Sequence, residues 1–364
     1  MTHRSNIYDF IRSVAAVLVL AGHAYVITGN TPVPRVFGVP IETLGLYMFF
    51  GLSGFLIASS WRRSQNVITF LVNRCLRIFP ALWVTVGVTV FILGPALTRA
   101  SGSDYFASGT TWSYLLNGAL VGVYKLPGVF EDGRATDAVN GSLWTLGVEF
   151  TCYLLVLACG MLLRRGAAGA WLIIGVGSAL LAAPLANGPG TALSSSADVV
   201  VPFAAGAMLA LIPAVVARSI WTALVCAAAF PLAFLVAGEP GGHIAAWIAV
   251  PAVVVVIGGR AVPGIRRFSQ LGDPSYGIYV WGYLVQQCVL GAGANTPAAN
   301  LGASLLILVP VAYASWHLLE SPILTRKRAA AKLVSDRLRA TRRSTLTSAP
   351  TEDAVTPVDR PSHH

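Results

Sequence analysis

Long apolar runs dominate this chain and restrict what it can fold into. A helix that crosses the hydrocarbon core of a bilayer needs about 20 consecutive apolar residues. Ten apolar runs qualify or come close, at 8–28, 41–60, 78–98, 112–125, 142–163, 169–186, 198–216, 220–238, 243–259 and 275–320. The last run is long enough for two helices that separate near 291–298. We therefore predict an all-α, polytopic membrane protein.

The scarcity of charge excludes the soluble alternatives. Charged residues make up 11% of the 364 residues, against roughly 25% in ordinary soluble domains. The final 39 positions hold 13 of the 40 charges, which leaves 27 for the first 325 residues. So few charges cannot cover the surface of a soluble fold of this size. A soluble enzyme, a nucleic-acid-binding domain and a disordered protein are excluded.

The distribution of basic residues predicts the topology. The formal net charge is +10, yet the basic residues form short clusters between apolar runs, as in the cytoplasmic loops of membrane proteins. With the N-terminus inside, only four of the 25 basic residues fall outside, namely Arg35, Arg99, Lys125 and Arg134. This arrangement requires about ten transmembrane helices with both termini cytoplasmic, and it holds only if 112–125 does not cross. We expect that segment to be interfacial or re-entrant.

Two regions are predicted along the chain. Residues 1–325 form the transmembrane domain, whose first run is expected to be a retained helix rather than a cleaved signal peptide. Residues 326–364 are basic and then rich in Pro, Ser and Thr, which predicts a disordered cytoplasmic tail that contacts anionic lipid. The five cysteines show no CxxC or Cys/His spacing, so neither a disulfide framework nor a metal site is expected.

Ionisable residues inside apolar runs are costly and mark candidate functional sites. The first run holds Asp9, Arg12 and His23. Asp9 and Arg12 have i,i+3 spacing and are expected to pair on one helix face. Arg12 and His23 are about three full turns apart, so they project from the same face at a separation of about 16 Å. The ordinary alternative is that Arg12 reaches lipid headgroups and His23 makes an interhelical hydrogen bond.

Further candidates lie in the later runs. Ser53 stands in a glycine-containing stretch that allows close helix packing. Arg74 and Arg77 place two guanidiniums on one face at the inner surface, a geometry suited to phosphate oxygens. Glu149 lies about two turns into its helix from the outer side, where a carboxylate needs a partner or a water-filled cavity. The alternatives are plain packing around Ser53, an ordinary membrane anchor for the arginines and a structural ion pair for Glu149.

Taken together, these segments resemble the acyltransferase 3 family of integral-membrane acyltransferases. The matching pieces, in chain order, are Asp9-Phe10-Ile11-Arg12 with His23, Phe49-Phe50-Gly51-Leu52-Ser53-Gly54-Phe55, Arg74-x-x-Arg77 with Pro80, Ser142-Leu143-Trp144-Thr145-Leu146 with Glu149, Ser275-Tyr276-Gly277-Ile278-Tyr279-Val280-Trp281, and Glu320-Ser321-Pro322. The resemblance covers nearly the whole chain before the tail, and the family's ten-helix core agrees with the predicted topology. Two positions depart from it. Gly282 stands where family members often carry a histidine, and Phe150 where a second acidic residue is common.

The resemblance implies transfer of an acyl group, usually acetyl from acetyl-CoA, to a hydroxyl of a carbohydrate or other small acceptor. It implies that His23 is the catalytic histidine, as general base or acyl carrier, with Arg12 as its paired arginine. Glu149 is assigned to orienting the site or tuning His23, and Arg74 and Arg77 are assigned to the CoA phosphates. A wider set, assigned to substrate binding or to structural motifs, comprises Asp9, Ser53, Ser142, Trp144, Tyr276 and Glu320.

The expected partners are an acyl-CoA co-substrate, the hydroxyl acceptor and the lipid bilayer, in the inner membrane of a bacterium. Neither a metal nor a nucleic acid is expected. A glycan acceptor is favoured over a macrolide or another secondary metabolite. Two non-enzymatic alternatives are a proton-coupled carrier and an inactive relative that binds lipid or a partner. No inverted repeat supports the carrier, and the presence of Arg12, His23 and Glu149 argues against the inactive relative.

Overall fold

Almost all regular structure in the protein is helical. The computed structural model describes residues 7–131, 134–163, 192–260, 262, 264–265, 271–327 and 329–337. Its α-helices are α1 (Tyr8–Thr28), α2 (Ile41–Ser64), α3 (Val67–Val88), α4 (Gly94–Leu97), α5 (Gly102–Ala107), α6 (Gly109–Ser113), α7 (Trp144–Leu163), α8 (Ala192–Leu209), α9 (Ala214–Ala217), α10 (Ile220–Gly258), α11 (Ser275–Gly291), α12 (Pro297–Ser315) and α13 (Ser321–Thr325). Two short strands, β1 (Arg35–Val36) and β2 (Val39–Pro40), pair antiparallel between α1 and α2, with Arg35 opposite Pro40. The prediction of a helical fold is confirmed apart from this hairpin.

Several of these helices are suited to a bilayer. Among the described residues, six are long and apolar enough to cross a membrane by length and composition: Tyr8–Thr28, Ile41–Ser64, Val67–Leu97, Gly141–Leu162, Ile220–Gly258 and Pro297–Thr325. A further apolar helix, Ser195–Leu209, is shorter. The predicted run 169–186 lies outside the described residues. The protein is therefore a helical membrane protein, and the number of ten spans stays a prediction.

α10 combines two of the predicted runs, 220–238 and 243–259. It spans 39 residues, but Gly238 within it has φ 64° and ψ −152°. Glycine adopts a positive φ readily because it has no Cβ. The backbone therefore turns at Gly238, and two helical segments meet at the kink.

The segment 112–125 does not form a long helix. It starts at the end of α6 and continues as a 3-10 turn over Tyr114–Ala119, followed by chain without regular structure. Trp83 Nε1 of α3 donates a hydrogen bond to the Gly118 carbonyl at 2.9 Å, which fixes the segment to the side of that helix. This geometry agrees with the prediction that the segment does not cross the membrane as a helix.

α1 lies between α2 and α11. A Cβ at Gly22 of α1 would overlap the side chain of Glu42 in α2, so the glycine lets the two helices approach closely. On the other side, Gln286 Nε2 of α11 donates a hydrogen bond to the Leu20 carbonyl of α1 at 2.8 Å. The face of α1 that carries Arg12 and His23 therefore lies toward the space between α2 and α11.

The end of the chain departs in part from prediction. α12 continues through a π-helical turn, Trp316–Glu320, into α13. Residues 329–337 are helical, where the sequence predicts a disordered tail from residue 326 onward. Ala331 in this helix is buried, so packing against the protein gives the segment the contacts that a disordered tail lacks. Residues 338–364 lie outside the described residues.

Candidate active site

Two arginines and two carboxylates from distant parts of the chain form an ion network. Arg77 of α3 donates from Nη2 to Asp273 Oδ2 at 2.6 Å and from Nη1 to Glu320 Oε2 at 3.0 Å. Arg12 of α1 donates from Nη1 to the same Asp273 oxygen at 3.0 Å. The side chains of Asp273 and Glu320 are 7% and 3% exposed. The network therefore joins α1, α3, the start of α11 and the end of α12 in one buried cluster.

The segment just before α11 positions Asp273. Its Oδ1 accepts hydrogen bonds from Ser275 N at 3.2 Å and from Ser275 Oγ at 2.5 Å. The carboxylate thereby satisfies an N–H of the first helical turn. Burial alone raises the pKa of the Asp273 carboxyl, but the charges of Arg12 and Arg77 outweigh burial and lower this pKa to about 2. Asp273 is therefore a carboxylate at neutral pH.

Arg12 pairs with a carboxylate that its local sequence does not indicate. The i,i+3 spacing predicts a salt bridge with Asp9, whereas Arg12 bridges to Asp273, 261 positions away. Asp9 lies one turn earlier on α1, where its backbone carbonyl accepts a hydrogen bond from Ser13 Oγ at 3.0 Å. Sequence analysis missed Asp273 altogether. A local signal exists, since Asp-Pro-Ser before an apolar run is a helix-start pattern, but it does not indicate an arginine partner.

The structure separates the two arginines that were assigned to CoA phosphates. Arg77 is held by two carboxylates, and its guanidinium faces the Tyr276 ring at 5.5 Å. Arg74, one turn earlier, contacts the rings of Phe70 and Tyr153 at 6.0 and 5.9 Å. Its buried Nε has no hydrogen-bond partner in the described part of the chain. Arg74 is therefore the better placed of the two to receive an anion.

Glu149 is hydrogen-bonded to two hydroxyls. Its Oε1 accepts from Tyr153 Oη at 2.5 Å and from Ser53 Oγ at 3.0 Å. The position of Glu149 along the axis of α1 follows from the antiparallel packing of α1 and α2, in which Glu42 contacts Gly22. Eleven residues further along α2, Ser53 is level with the first turn of α1. Glu149 therefore lies near the N-terminal end of α1.

A cavity of about 30 Å³ lies between α1, α2, α7 and α11. Arg12 and Glu149 contribute a cation and an anion to its wall, and the rest is mainly aromatic or apolar, with Phe49, Tyr276 and Tyr279 among the lining residues. This volume accommodates one or two water molecules or a group of similar size. The structure thus brings Arg12, Glu149 and Tyr276 of the predicted site to one cavity.

Ser142 and Trp144 belong to the attachment of α7. The Ser142 carbonyl accepts from Tyr279 Oη at 3.1 Å, and Ser142 Oγ donates to Asn140 Oδ1 at 2.9 Å. Asn140 Nδ2 in turn donates to the Val280 carbonyl at 2.8 Å. Trp144 begins α7 and packs against the largest hydrophobic core cluster. These contacts fix α7 to α11 at the edge of the cavity.

His23 lies beyond the cavity on α1. Because α1 is one continuous helix, His23 projects from the same face as Arg12 and lies about 16 Å further along the axis. The imidazole meets the Tyr283 ring edge to face, with 5.2 Å between centroids. Tyr283 Oη is 3.2 Å from Thr136 Oγ1 in the segment before α7. The structure therefore does not bring Glu149 beside His23, because Glu149 belongs to the cavity near Arg12.

Gly282, which stands where the family that the chain resembles frequently carries a histidine, lies close to α1. A Cβ on Gly282 would lie 2.5 Å from Leu20 Cδ2 of α1. A contact that short requires the Leu20 side chain or one of the helices to shift. The neighbouring Tyr283 occupies the space beside His23 instead.

Gly282→His is expected to destabilise the protein by about 1–3 kcal/mol, because overpacking a well-packed contact forces side chains and backbone to shift. The measurement is the thermal unfolding midpoint in detergent. Leu20→Ala in the same chain removes the Cδ2 atom in the way and is expected to recover part of the loss. An unchanged midpoint for the single variant would contradict the overpacking and show that Leu20 moves aside at little cost.

A comparison with known protein families agrees with the family that these residues resemble. The family model described as an acyltransferase domain, that of the acyltransferase 3 family, matches residues 6–318. The chain is a member of the acyltransferase 3 family. This acyltransferase moves acyl groups other than aminoacyl groups and so requires an acyl donor. Among the described residues, no group of three or more His, Cys, Asp or Glu side chains is arranged to hold a metal ion.

Three curated relatives align with most of this acyltransferase. It is 27% identical to an O-acetyl transferase of Shigella phage Sf6, over 89% of this chain and 97% of the relative. It is 26% identical to acyltransferase MdmB of Streptomyces mycarofaciens, over 78% of this chain and 81% of the relative. It is also 26% identical to the exopolysaccharide production protein ExoZ of Rhizobium meliloti (strain 1021), over 79% and 92%. No solved structure matches it.

Proposed function

We propose that this acyltransferase transfers an acetyl group from acetyl-CoA to a hydroxyl of a carbohydrate acceptor. The observation that carries the proposal is the order of groups along α1 and the helices packed against it. Arg74 has a buried nitrogen without a hydrogen-bond partner among the described residues. The Arg12–Glu149 cavity follows, and His23 lies further along the same face of α1 as Arg12. The cavity holds one or two water molecules, so it must widen to admit a pantetheine arm. A donor bound in this way, with its phosphates at Arg74, presents its thioester toward His23.

His23 acts as the general base in the proposed reaction. One ring nitrogen takes the proton of the acceptor hydroxyl while the hydroxyl oxygen attacks the thioester carbonyl carbon. The ester C–O bond forms and the C–S bond breaks. The imidazolium then gives its proton to the departing CoA thiolate. The products are the O-acetyl ester and the CoA thiol, and the neutral imidazole is restored.

The remaining site residues divide into two roles. Arg12 and Glu149 line the donor cavity, where their charges orient the polar groups of the pantetheine arm. Arg77 bridges Glu320 and Asp273, and Asp273 keeps Arg12 in place. This assignment gives phosphate binding to Arg74 and a positioning role to Arg77.

Arg74→Ala is expected to raise KM for acetyl-CoA by about tenfold with little change in kcat, because one charge-assisted hydrogen bond contributes about 1.5–3 kcal/mol. The measurement is initial-rate kinetics of CoA release. Arg63→Ala is the matched control, since Arg63 is an exposed arginine at the end of α2. An unchanged KM in Arg74→Ala would remove this residue from donor binding.

The proposed acceptor is supported by the relatives, and the proposed membrane topology by the distribution of basic residues. ExoZ is named for exopolysaccharide production and the phage relative for O-acetyl transfer, which favours a glycan hydroxyl. The distribution of basic residues supports ten spans with both termini cytoplasmic, in a bacterial inner membrane. The transmembrane acyltransferase domain is then 1–325, with 326–364 as a cytoplasmic extension.

The test uses purified protein in nanodiscs with acetyl-CoA and release of the CoA thiol as the readout. Sugars and glycan fragments are added as acceptors, beside a macrolide. Faster CoA release with a sugar, together with an acetylated sugar detected by mass spectrometry, is the expected result. Faster CoA release with the macrolide alone would show that the acceptor is a macrolide-type hydroxyl rather than a carbohydrate. No turnover by well-folded protein with any acceptor would favour a binding or carrier relative.

A further inference from the structure

A general-base histidine needs a group that holds its ring and stabilises the imidazolium. No side chain in the described part of the chain hydrogen-bonds the His23 imidazole, which meets Tyr283 only through its ring. Glu149 is engaged by Ser53 and Tyr153 near the other end of α1. A carboxylate other than Glu149 must therefore hold the His23 ring and stabilise its imidazolium.

Glu42 is a carboxylate beside the same turn of α1. It is the second residue of α2, where the N-terminal end of the helix favours a negative charge. Its side chain rests on the α1 backbone at Gly22, the residue that precedes His23, in space that any Cβ would fill. Its Oε2 is buried and has no hydrogen-bond partner among the described residues. A buried carboxylate oxygen without a donor is costly, and such groups call for an explanation.

The nearest cation on the adjoining hairpin does not supply that donor. Arg35 Nη1 pairs with Glu239 Oε2 at 2.7 Å and also donates to the Gly38 carbonyl at 3.3 Å. The Glu239 side chain belongs to α10 and is 60% exposed, whereas Glu42 Oε2 is buried. Glu42 Oε2 therefore has unused hydrogen-bonding capacity directed at α1.

The geometry of α1 places His23 between Glu42 and Tyr283. Gly22 faces α2, and Leu20 faces α11 through its contact with Gly282. At about 100° per residue, His23 lies about 100° from Gly22 and about 60° from Leu20 around the helix axis. Its side chain therefore enters the crevice between α2 and α11. Consecutive Cα atoms are about 3.8 Å apart, so the carboxylate at Gly22 is within reach of a rotated imidazole.

We propose that Glu42 is the positioning carboxylate of His23, in place of Glu149. The inference rests on the proposed role of His23 as general base. In the reaction, Glu42 accepts a hydrogen bond from the ring N–H that does not face the acceptor. It fixes the tautomer, so that the other nitrogen is free to take the hydroxyl proton, and it stabilises the positive charge of the imidazolium. In many enzymes such bonds are long in the free state and tighten when substrate binds.

The experiment measures kcat and KM for acetyl-CoA by release of the CoA thiol from protein in nanodiscs, normalised to folded protein by size-exclusion. Glu42→Gln is isosteric and is expected to lower kcat by at least about tenfold with KM unchanged, because it removes only the charge that stabilises the imidazolium. Glu42→Asp keeps the charge and is expected to recover part of kcat. Glu149→Gln is expected to change KM instead. Glu239→Gln is the matched control and keeps wild-type values, because Glu239 is an exposed carboxylate of α10 that pairs with Arg35 of the hairpin.

The outcomes separate this inference from the proposed function. An unimpaired Glu42→Gln beside an inactive His23→Ala would overturn the role of Glu42 and leave the general base intact. Full activity in His23→Ala would overturn the proposed function itself. A Glu42→Asp variant as impaired as the Gln variant would show that shape rather than charge matters there, and would also overturn the role of Glu42. Loss of kcat in Glu149→Gln alone would return that role to Glu149.

Discussion

His23→Ala is expected to abolish acetyl-CoA turnover while the protein stays folded. General acid–base catalysis by one side chain contributes about 10²–10⁴ in rate, so turnover should fall at least about a hundredfold. The fold should survive because the described contact of the imidazole is with one ring, that of Tyr283. The measurement is release of the CoA thiol from purified protein in nanodiscs, with the unfolding midpoint recorded on the same sample.

His317→Ala is the control for this experiment. His317 is an exposed histidine in the π-helical turn after α12, where it stacks on the Tyr313 ring with centroids 6.3 Å apart. Removing it should leave turnover unchanged. A folded His23→Ala protein with wild-type turnover would remove His23 from the chemistry, and the acyl transfer would then need another base.

The long helices were predictable from the sequence because the bilayer imposes a length. A helix that spans the hydrocarbon core needs a run of apolar residues that local inspection detects. The shared face of Arg12 and His23 was predictable for a similar reason, since the helical repeat depends only on spacing. The length of the apolar run also distinguishes 112–125 from the predicted membrane-crossing helices. This segment is too short to cross and forms irregular structure.

The ion network was not predictable because its pairs are long-range. Arg77 meets Asp273 across 196 positions and Glu320 across 243. Local spacing favours an i,i+3 pair, so it suggests Asp9 for Arg12 and cannot reveal a loop that returns from the other end of the chain. Arg77 and Arg74 look equivalent in the sequence for the same reason. Only the fold shows that carboxylates engage Arg77, whereas Arg74 Nε has no hydrogen-bond partner in the part of the chain that the structure describes.

The position of Glu149 shows a second limit of local sequence patterns. Its distance into the helix was counted from the outer end of α7, which predicts that it lies near His23. Depth, however, depends on how helices are staggered, and Ser53 on α2 holds Glu149 level with the first turn of α1. Hydropathy detects which segments cross a bilayer, but it does not indicate the relative heights of the side chains on them.

Asp273→Asn is expected to be strongly destabilising. Removing one partner of a buried ion pair costs about 3–5 kcal/mol, because the remaining charges are left without compensation. Here two arginines lose a shared partner whose side chain is 7% exposed. The amide preserves the size of the carboxyl, so the loss reports charge rather than packing. Thermal unfolding in detergent measures the effect, and Glu239→Gln is the control.

The control isolates burial as the cause. Glu239 also pairs with an arginine, at 2.7 Å from Arg35, but the two side chains are 60% and 44% exposed. Exposed pairs contribute about 0–1 kcal/mol, so this variant should unfold near the wild-type midpoint. Equal effects in the two variants would contradict the description of Asp273 as the buried centre of the network.

The pH dependence of stability provides an independent check on the same carboxylate. The pKa of Asp273 is lowered from an ordinary value of 3.8 to about 2 by Arg12 and Arg77, against the opposing effect of burial. A depressed folded-state pKa gives stability that is fully present above the unfolded value and is lost as the pH falls through the folded one. The wild type should therefore lose this contribution between about pH 4 and pH 2. Asp273→Asn lacks the titrating group, so its stability should show a shallower slope over that interval, and parallel slopes would mean that other carboxylates govern unfolding in acid.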